Sequence, residues 1–168
     1  MPPTYRERLR VEGFVLAGAG ALASALLLAL VPQASDRAGS TIGQLVFVSL
    51  LLAVLTPRAA RKSIASARPV TPGEELTGEP TPLWKPPLVL LVLAALFIVP
   101  GELGAGSPSW DAALRITGGC LLVGLAQALL MARTVAAGES SCGRRYVRVP
   151  GWSLIGGTKL GFFGNTQV

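Results

Sequence analysis

The feature that most constrains this chain is a set of four long intervals without a charged residue. A helix needs about 20 apolar residues to cross a bilayer, and a charge at the bilayer centre costs about 2.5–3.5 kcal/mol. The uncharged intervals are those between Glu12 and Asp36, Arg37 and Arg58, Lys85 and Glu102, and Arg115 and Arg133. The sequence therefore predicts an all-α membrane protein with four transmembrane helices, at about 13–32, 40–56, 83–103 and 111–135.

Two of these intervals leave an alternative open. The first follows three arginines, as the apolar part of a signal peptide does, but the apolar run 14–31 is longer than the 7–15 residues usual there, which favours a retained helix. The third has an apolar centre at 88–99 that is short enough for a re-entrant or interfacial segment. Trp84, a residue typical of membrane interfaces, favours a crossing.

The basic residues predict the orientation of the chain. Under the four-helix assignment, only Arg37 and Arg115 of the 15 lysines and arginines fall on one side. The positive-inside rule then places both termini in the cytoplasm, in agreement with an even number of crossings. The predicted regions are an arm at 1–12, a transmembrane domain at 13–137 that includes a cytoplasmic loop at 57–82, and a tail at 138–168. In the loop, we expect a surface amphipathic helix at 58–68 and a Pro-rich linker at 70–82.

Small residues predict which helices pack together. In lipid, helices associate largely through close packing of small side chains. The first helix carries alanines at four-residue steps, and the fourth carries a similar stripe, so we expect these two helices to pack closely and to bring the arm beside the tail. A general abundance of Ala and Gly is the alternative explanation. The predicted packing residues are Ala17, Gly20, Ala21, Ser24, Ala25, Cys120, Gly124 and Ala128.

The tail has the pattern of short strands. Residues 145–149 alternate polar and apolar side chains, Pro150-Gly151 and Gly156-Gly157 suit turns, and 152–155 and 158–163 are further strand candidates. We therefore expect a small C-terminal β-hairpin or three-stranded element. Because an isolated hairpin is marginally stable in water, its aromatic residues need cover from the bilayer or from a partner. The predicted contact residues are Arg144, Arg145, Arg148, Trp152, Lys159, Phe162 and Phe163.

The composition argues against most catalytic chemistry. The chain has no histidine, and its intervals hold no side chain that ionises near neutral pH except, weakly, Cys120. The run 151–159 has the glycine spacing of a phosphate-binding loop, but Gly157 stands where the lysine belongs. The two cysteines lack the spacing of a zinc site. We expect no catalytic residue, no cofactor, no metal and no nucleic-acid partner.

These patterns favour a non-enzymatic accessory, assembly or scaffold subunit that engages a larger membrane complex through its tail and basic loop. A component of a small transporter or channel is the alternative, and a lipid enzyme using Cys142 and Glu139 is a third class. The expected partners are membrane lipid and either a membrane protein or a second copy of the chain. The expected location is the cell membrane, and the arginine-rich, lysine-poor composition favours a bacterial inner membrane.

Overall fold

Three long apolar helices and a small mixed sheet make up the computed structural model, which describes residues 4–31, 38–70, 110–149 and 159–163, together with Leu88 and Val92. Helix α1 is Tyr5–Leu30 and α2 is Ala38–Ala65. Helix α3 (Trp110–Leu125), a π-helical segment (Ala126–Met131) and α4 (Ala132–Cys142) follow one another without a break. These three are referred to together as the C-terminal helix.

Three of the described helices are long and apolar enough to cross a membrane. They are Tyr5–Leu30 with 26 residues, Thr41–Ala65 with 25 and Ala112–Cys142 with 31. At about 1.5 Å per residue, each exceeds the roughly 30 Å of a hydrocarbon core. The described residues thus contain three such helices and not the four that the sequence predicts. The predicted segment 83–103 lies outside the described residues except for Leu88 and Val92.

Helix α1 begins earlier than its uncharged interval. The Thr4 hydroxyl accepts a hydrogen bond from the Glu7 amide at 3.3 Å, and the Glu7 carboxylate accepts one from the Thr4 amide at 2.9 Å. This capping box satisfies two amides that a helix start otherwise leaves without partners. The predicted helix start at 13 was therefore wrong. An uncharged interval indicates which part of a helix is compatible with lipid, but it does not indicate where the helix begins.

Helix α2 continues through Pro57, where the sequence predicts that it ends. An interior proline costs about 3 kcal/mol, so other contacts must offset it. Residues 58–65 supply them, because Ala60 is fully buried and Ile64 packs against a buried cluster. The basic part of the predicted loop is therefore the end of α2, packed along the C-terminal helix, and not a separate surface helix.

The C-terminal helix is also longer than predicted. It ends at Cys142, seven residues beyond the predicted end at 135, after which Gly143 adopts a left-handed φ of 60°. Gly138 lets this part of the helix pack closely on α2 and β2, since a Cβ there would lie 3.1 Å from Ile64 Cδ1 and 3.8 Å from the Tyr146 ring. Tertiary contact thus stabilises a segment whose composition alone is typical of a linker.

Contacts between the helices define their directions. Gly13 faces Gly124 and Ala128, whereas Gly20 faces Thr117 and Leu121, so α1 is antiparallel to the C-terminal helix. Leu45 contacts Gly118 and Ile64 contacts Gly138, so α2 runs parallel to it. The beginning of α1 and the ends of α2 and of the C-terminal helix consequently lie at one end of the bundle.

A three-stranded sheet packs at this end, in the order β1-β3-β2. Strand β1 (Arg68–Pro69) is parallel to β3 (Lys159–Phe163), and β2 (Arg145–Val149) is antiparallel to β3. The strand at 145–149 is confirmed and the one at 158–163 nearly so, whereas β1 was not predicted. The predicted strand 152–155 and the turns at 150–151 and 156–157 lie outside the described residues.

The sheet and the helix ends share one apolar core. Tyr5 and Leu9 of α1 are buried with Val135 of α4, Tyr146 of β2 and Leu160 of β3. The structure formed by the three strands and by helix residues 5–12, 58–65 and 133–142 is called the cap below. The cap joins segments from the beginning, middle and end of the chain.

Candidate functional site

Among the described helices, α1 and the C-terminal helix make the closest contact. A Cβ added at Gly20 would lie 2.6 Å from both the Leu121 amide nitrogen and the Thr117 carbonyl oxygen. One added at Gly124 would lie 2.5 Å from the Ala17 nitrogen and the Gly13 oxygen. Real Cβ atoms do not approach backbone so closely, so the two helices touch backbone to backbone at these glycines. This contact leaves no space for a solute between the two helices at these positions.

The structure brings most of the predicted packing residues into this contact. Ala17, Gly20, Gly124 and Ala128 are buried there. The half-buried Ser24 donates a hydrogen bond of 2.8 Å to the Thr117 hydroxyl, which in turn donates to the Leu114 carbonyl at 3.2 Å. Of the remaining three, Ala21 and Ala25 are exposed, and Cys120 is half-buried.

The spacing of the contact explains why Ala21 and Ala25 are left out. Helix α1 meets its neighbour at Gly13, Ala17, Gly20 and Ser24, which are separated by four, three and four residues. That seven-residue repeat keeps one face of a helix on its partner, whereas repeated steps of four rotate away from it. The predicted stripe was therefore wrong in its period. The seven-residue spacing of Gly13 and Gly20 is the feature of the sequence that could have identified Gly13 as a contact residue.

The predicted contact residues of the tail are divided between the interior and the surface. Phe162 packs against the core of the cap, and the Arg144 guanidinium carbon lies 4.3 Å from the centroid of its ring. Phe163 packs against Val70 and Val147. These two aromatic side chains therefore contribute to the protein's own core.

The structure describes the other tail positions to different extents. Arg145 is exposed. Arg148 pairs with Leu160, and Lys159 pairs with Val149, within the sheet. Trp152 lies outside the described residues. Of the predicted set, the exposed positions Arg144 and Arg145 are those whose charged side chains the structure places at the surface of the cap.

The surface of the cap is cationic. Its described acidic residues are engaged locally: Glu7 in the capping box, and Glu139 through a hydrogen bond of 3.3 Å from the Tyr146 amide. Glu12 also has an interaction partner. The exposed basic residues of the cap and of the adjoining ends of its helices are Arg10, Arg58, Arg61, Lys62, Arg68, Arg133, Arg144 and Arg145. A surface of this kind attracts anionic lipid headgroups and acidic protein segments.

Tyr146 is the central residue of the cap core. Its side chain is 2% exposed and packs among residues of α1, α4 and β3. Burial is the main cause that raises the pKa of its phenol above the ordinary value of 10.0. Tyr146 is thus a neutral packing residue that fixes β2 onto the helix ends, and not a proton donor near neutral pH.

A basic groove runs between the end of α2 and the C-terminal helix. Its volume is about 660 Å³, and two arginines from different helices, Arg61 and Arg133, lie on its walls. Sequence reasoning missed this site, because only the parallel packing of α2 on the C-terminal helix brings the two arginines together. The other lining residues are Ile64, Ala65, Thr134, Ala137, Gly138, Ser141 and Cys142.

A second groove lies between the same two helices, within their uncharged intervals. It has a volume of about 230 Å³ and is lined by leucine and alanine side chains with one hydroxyl, that of Ser49. The Ser49 hydroxyl donates to the Val46 carbonyl of its own helix at 2.7 Å. The surface of this groove is therefore apolar.

Within the described part of the chain, no cluster of three histidine, cysteine or carboxylate side chains could hold a metal ion. Comparison of the chain with protein-family models, with curated proteins and with solved structures found no match.

Proposed function

We propose that this protein is a non-enzymatic accessory, assembly or scaffold subunit that engages a larger membrane complex through the cationic surface of its cap. The observation that carries the proposal is the parallel pairing of β1 with β3, in which Arg68 lies opposite Gly161 and Pro69 opposite Phe162. The segment after α2 and the tail, which the sequence offers as two separate contact regions, thereby form a single surface.

The packing of the cap against the helix bundle supports the same role. The cap is held to the bundle by the buried cluster around Tyr146, and not by a linker. A preorganised surface loses little conformational entropy when a partner binds, which favours a stable assembly. The cationic side chains favour an acidic segment of another membrane protein as the partner.

We also propose four crossings, with both termini in the cytoplasm of a bacterial cell. The directions of the helices support this count. Because α2 and the C-terminal helix are parallel, the chain leaves one end of the bundle after Val70 and enters the other end at Trp110. If all three helices cross the membrane, the segment that joins these residues must cross it as well, and 83–103 is its apolar part. By the positive-inside rule, the cationic side chains of the cap favour the cytoplasmic side for this end of the bundle.

Purification from native membranes tests the subunit role. Removing the tail is a poor test, because it also removes β2 and β3 from the core of the cap. We instead choose the double variant Lys62→Glu/Arg145→Glu, which reverses the charge of two exposed side chains. We expect the wild type to retain a stoichiometric membrane-protein partner after mild solubilisation, and the double variant to lose most of it, because two attractive contacts become repulsive.

The control is Ser66→Asn/Ser140→Asn, which changes two exposed neutral residues of the same end of the molecule. It should retain the partner. Equal recovery of the partner with the charge-reversed and control proteins would contradict a docking role for the cap. Solute or ion flux through the purified protein in liposomes would instead support the transporter or channel class.

A further inference from the structure

The two grooves between α2 and the C-terminal helix differ in chemistry, because one is apolar and the other is basic. The two together are called the seam. The apolar groove is lined by Leu52 and Leu129 among others, and the basic groove lies further along both helices, at Arg61 and Arg133. Since the two helices are parallel, moving toward their carboxyl ends leads from apolar to cationic walls on both sides. The order of the two grooves, apolar and then cationic, matches the order of acyl chain and phosphate along a phospholipid.

The position of the basic groove along the helices corresponds to the level of the lipid headgroups in a bilayer. Arg133 is the first charged residue after the uncharged run 116–132, and Arg58 is the first after the uncharged part of α2. Arg61 lies about one turn further along α2. In a bilayer, these arginines lie at the depth where lipid phosphates lie, and basic pockets between transmembrane helices at this level bind anionic headgroups.

The polar groups of the basic groove identify which side chains would hold a phosphate. The Thr134 hydroxyl donates to the Leu130 carbonyl at 2.9 Å, and the Ser141 hydroxyl donates to the Gly138 carbonyl at 3.1 Å. Their hydrogens are thus already used by the helix. The two guanidinium groups are the available donors, and guanidinium matches phosphate oxygens in a two-pronged geometry.

The anionic charge that a guanidinium normally attracts is missing from the described walls of the groove. Among the described residues, no acidic side chain lines it, and Glu139, the nearest acid in the sequence, accepts a hydrogen bond from the Tyr146 amide. Within the described residues, neither Arg61 nor Arg133 forms an ion pair or a hydrogen bond with another side chain. An anion in the groove would neutralise the two like charges on its walls.

We propose that this seam binds one anionic phospholipid, with its phosphate held by Arg61 and Arg133 and an acyl chain in the apolar groove. The site rests on insertion of the protein in a membrane, but it does not rest on the subunit role proposed above. A phospholipid and free inorganic phosphate share an anionic phosphate group, as a monoanion or dianion. Only the lipid also has an acyl chain.

The test measures lipid retained by the full-length protein. Protein in nanodiscs of phosphatidylcholine is titrated with phosphatidylglycerol, and bound lipid is counted by native mass spectrometry after gentle release. We expect one retained phosphatidylglycerol per wild-type chain. Arg61→Gln and Arg133→Gln should each weaken retention about fivefold, as loss of one basic residue near a headgroup implies, and the double variant more than tenfold.

Arg58→Gln is the matched control, because Arg58 is exposed on the same helix but does not line the groove. It should leave retention unchanged. An equal loss with Arg58→Gln would show diffuse attraction to charge and would overturn the site. Arg133→Lys, which keeps the charge, should recover part of the affinity.

Two further arms distinguish the source of the phosphate. Competition with phosphatidylcholine that has the same acyl chains tests whether binding requires the negative charge of the headgroup. Competition with inorganic phosphate at millimolar concentration tests whether binding requires an acyl chain. The proposal predicts that neither displaces phosphatidylglycerol from the wild type. Displacement by inorganic phosphate alone, or retention of phosphatidylcholine to the same extent, would overturn it.

Discussion

At the scale of single residues, a few glycines decide how the bundle packs. Gly18 and Gly20 are two residues apart on α1, yet a Cβ at Gly18 would meet nothing within 4 Å, whereas one at Gly20 would meet backbone at 2.6 Å. The abundance of glycine in the sequence cannot separate these two roles. Only the seven-residue spacing of Gly13 and Gly20 indicates the contact face before the structure is known.

This difference predicts opposite effects of one substitution. Gly20→Ala should lower the free energy of unfolding by about 1–3 kcal/mol, because the helices must move apart to admit the methyl group. Gly18→Ala should leave it unchanged or raise it by up to about 1 kcal/mol, since alanine favours the helix. Denaturation of the purified protein in mixed micelles measures both. Equal stabilities of the two variants would contradict the backbone contact.

At the scale of secondary-structure elements, the sequence predicted the existence of the helices better than their ends. The uncharged intervals correctly indicated α1, α2 and the C-terminal helix. Each of these helices extends into its charged flank, because Tyr5, Ile64 and Val135 gain contacts in the cap. Those contacts join residues that are far apart in the sequence, so periodicity and composition alone could not reveal them.

The end of the C-terminal helix offers a test at this scale. Gly143 has a φ of 60°, a left-handed conformation that costs an L-residue with a side chain about 1–2 kcal/mol. Gly143→Ala should lower the free energy of unfolding by about 1 kcal/mol and speed hydrogen exchange in β2. Gly143→Asn should cost less, because asparagine tolerates this conformation. A fully stable alanine variant would show that β2 does not depend on this turn.

At the scale of the whole molecule, the cap unites three parts of the chain that the sequence presents as an arm, a loop and a tail. Predicting that the arm lies beside the tail was possible from the small residues of the first and fourth predicted helices. The parallel addition of β1 was not, because Arg68–Pro69 is too short to carry a strand pattern. The basic groove likewise depends on the parallel packing of two helices.

The most direct test of the four-crossing topology is the accessibility of single cysteines to a membrane-impermeant maleimide in sealed vesicles of both orientations. In a Cys120→Ala/Cys142→Ser background, Ser66→Cys and Ser140→Cys report the cap, Gly39→Cys the opposite end, and Ser109→Cys the residue before α3. We predict labelling of Ser66→Cys and Ser140→Cys from the cytoplasmic side, and of Gly39→Cys and Ser109→Cys from the other. Labelling of Ser66→Cys and Ser109→Cys from the same side would contradict a crossing between them and, with it, the four-crossing account.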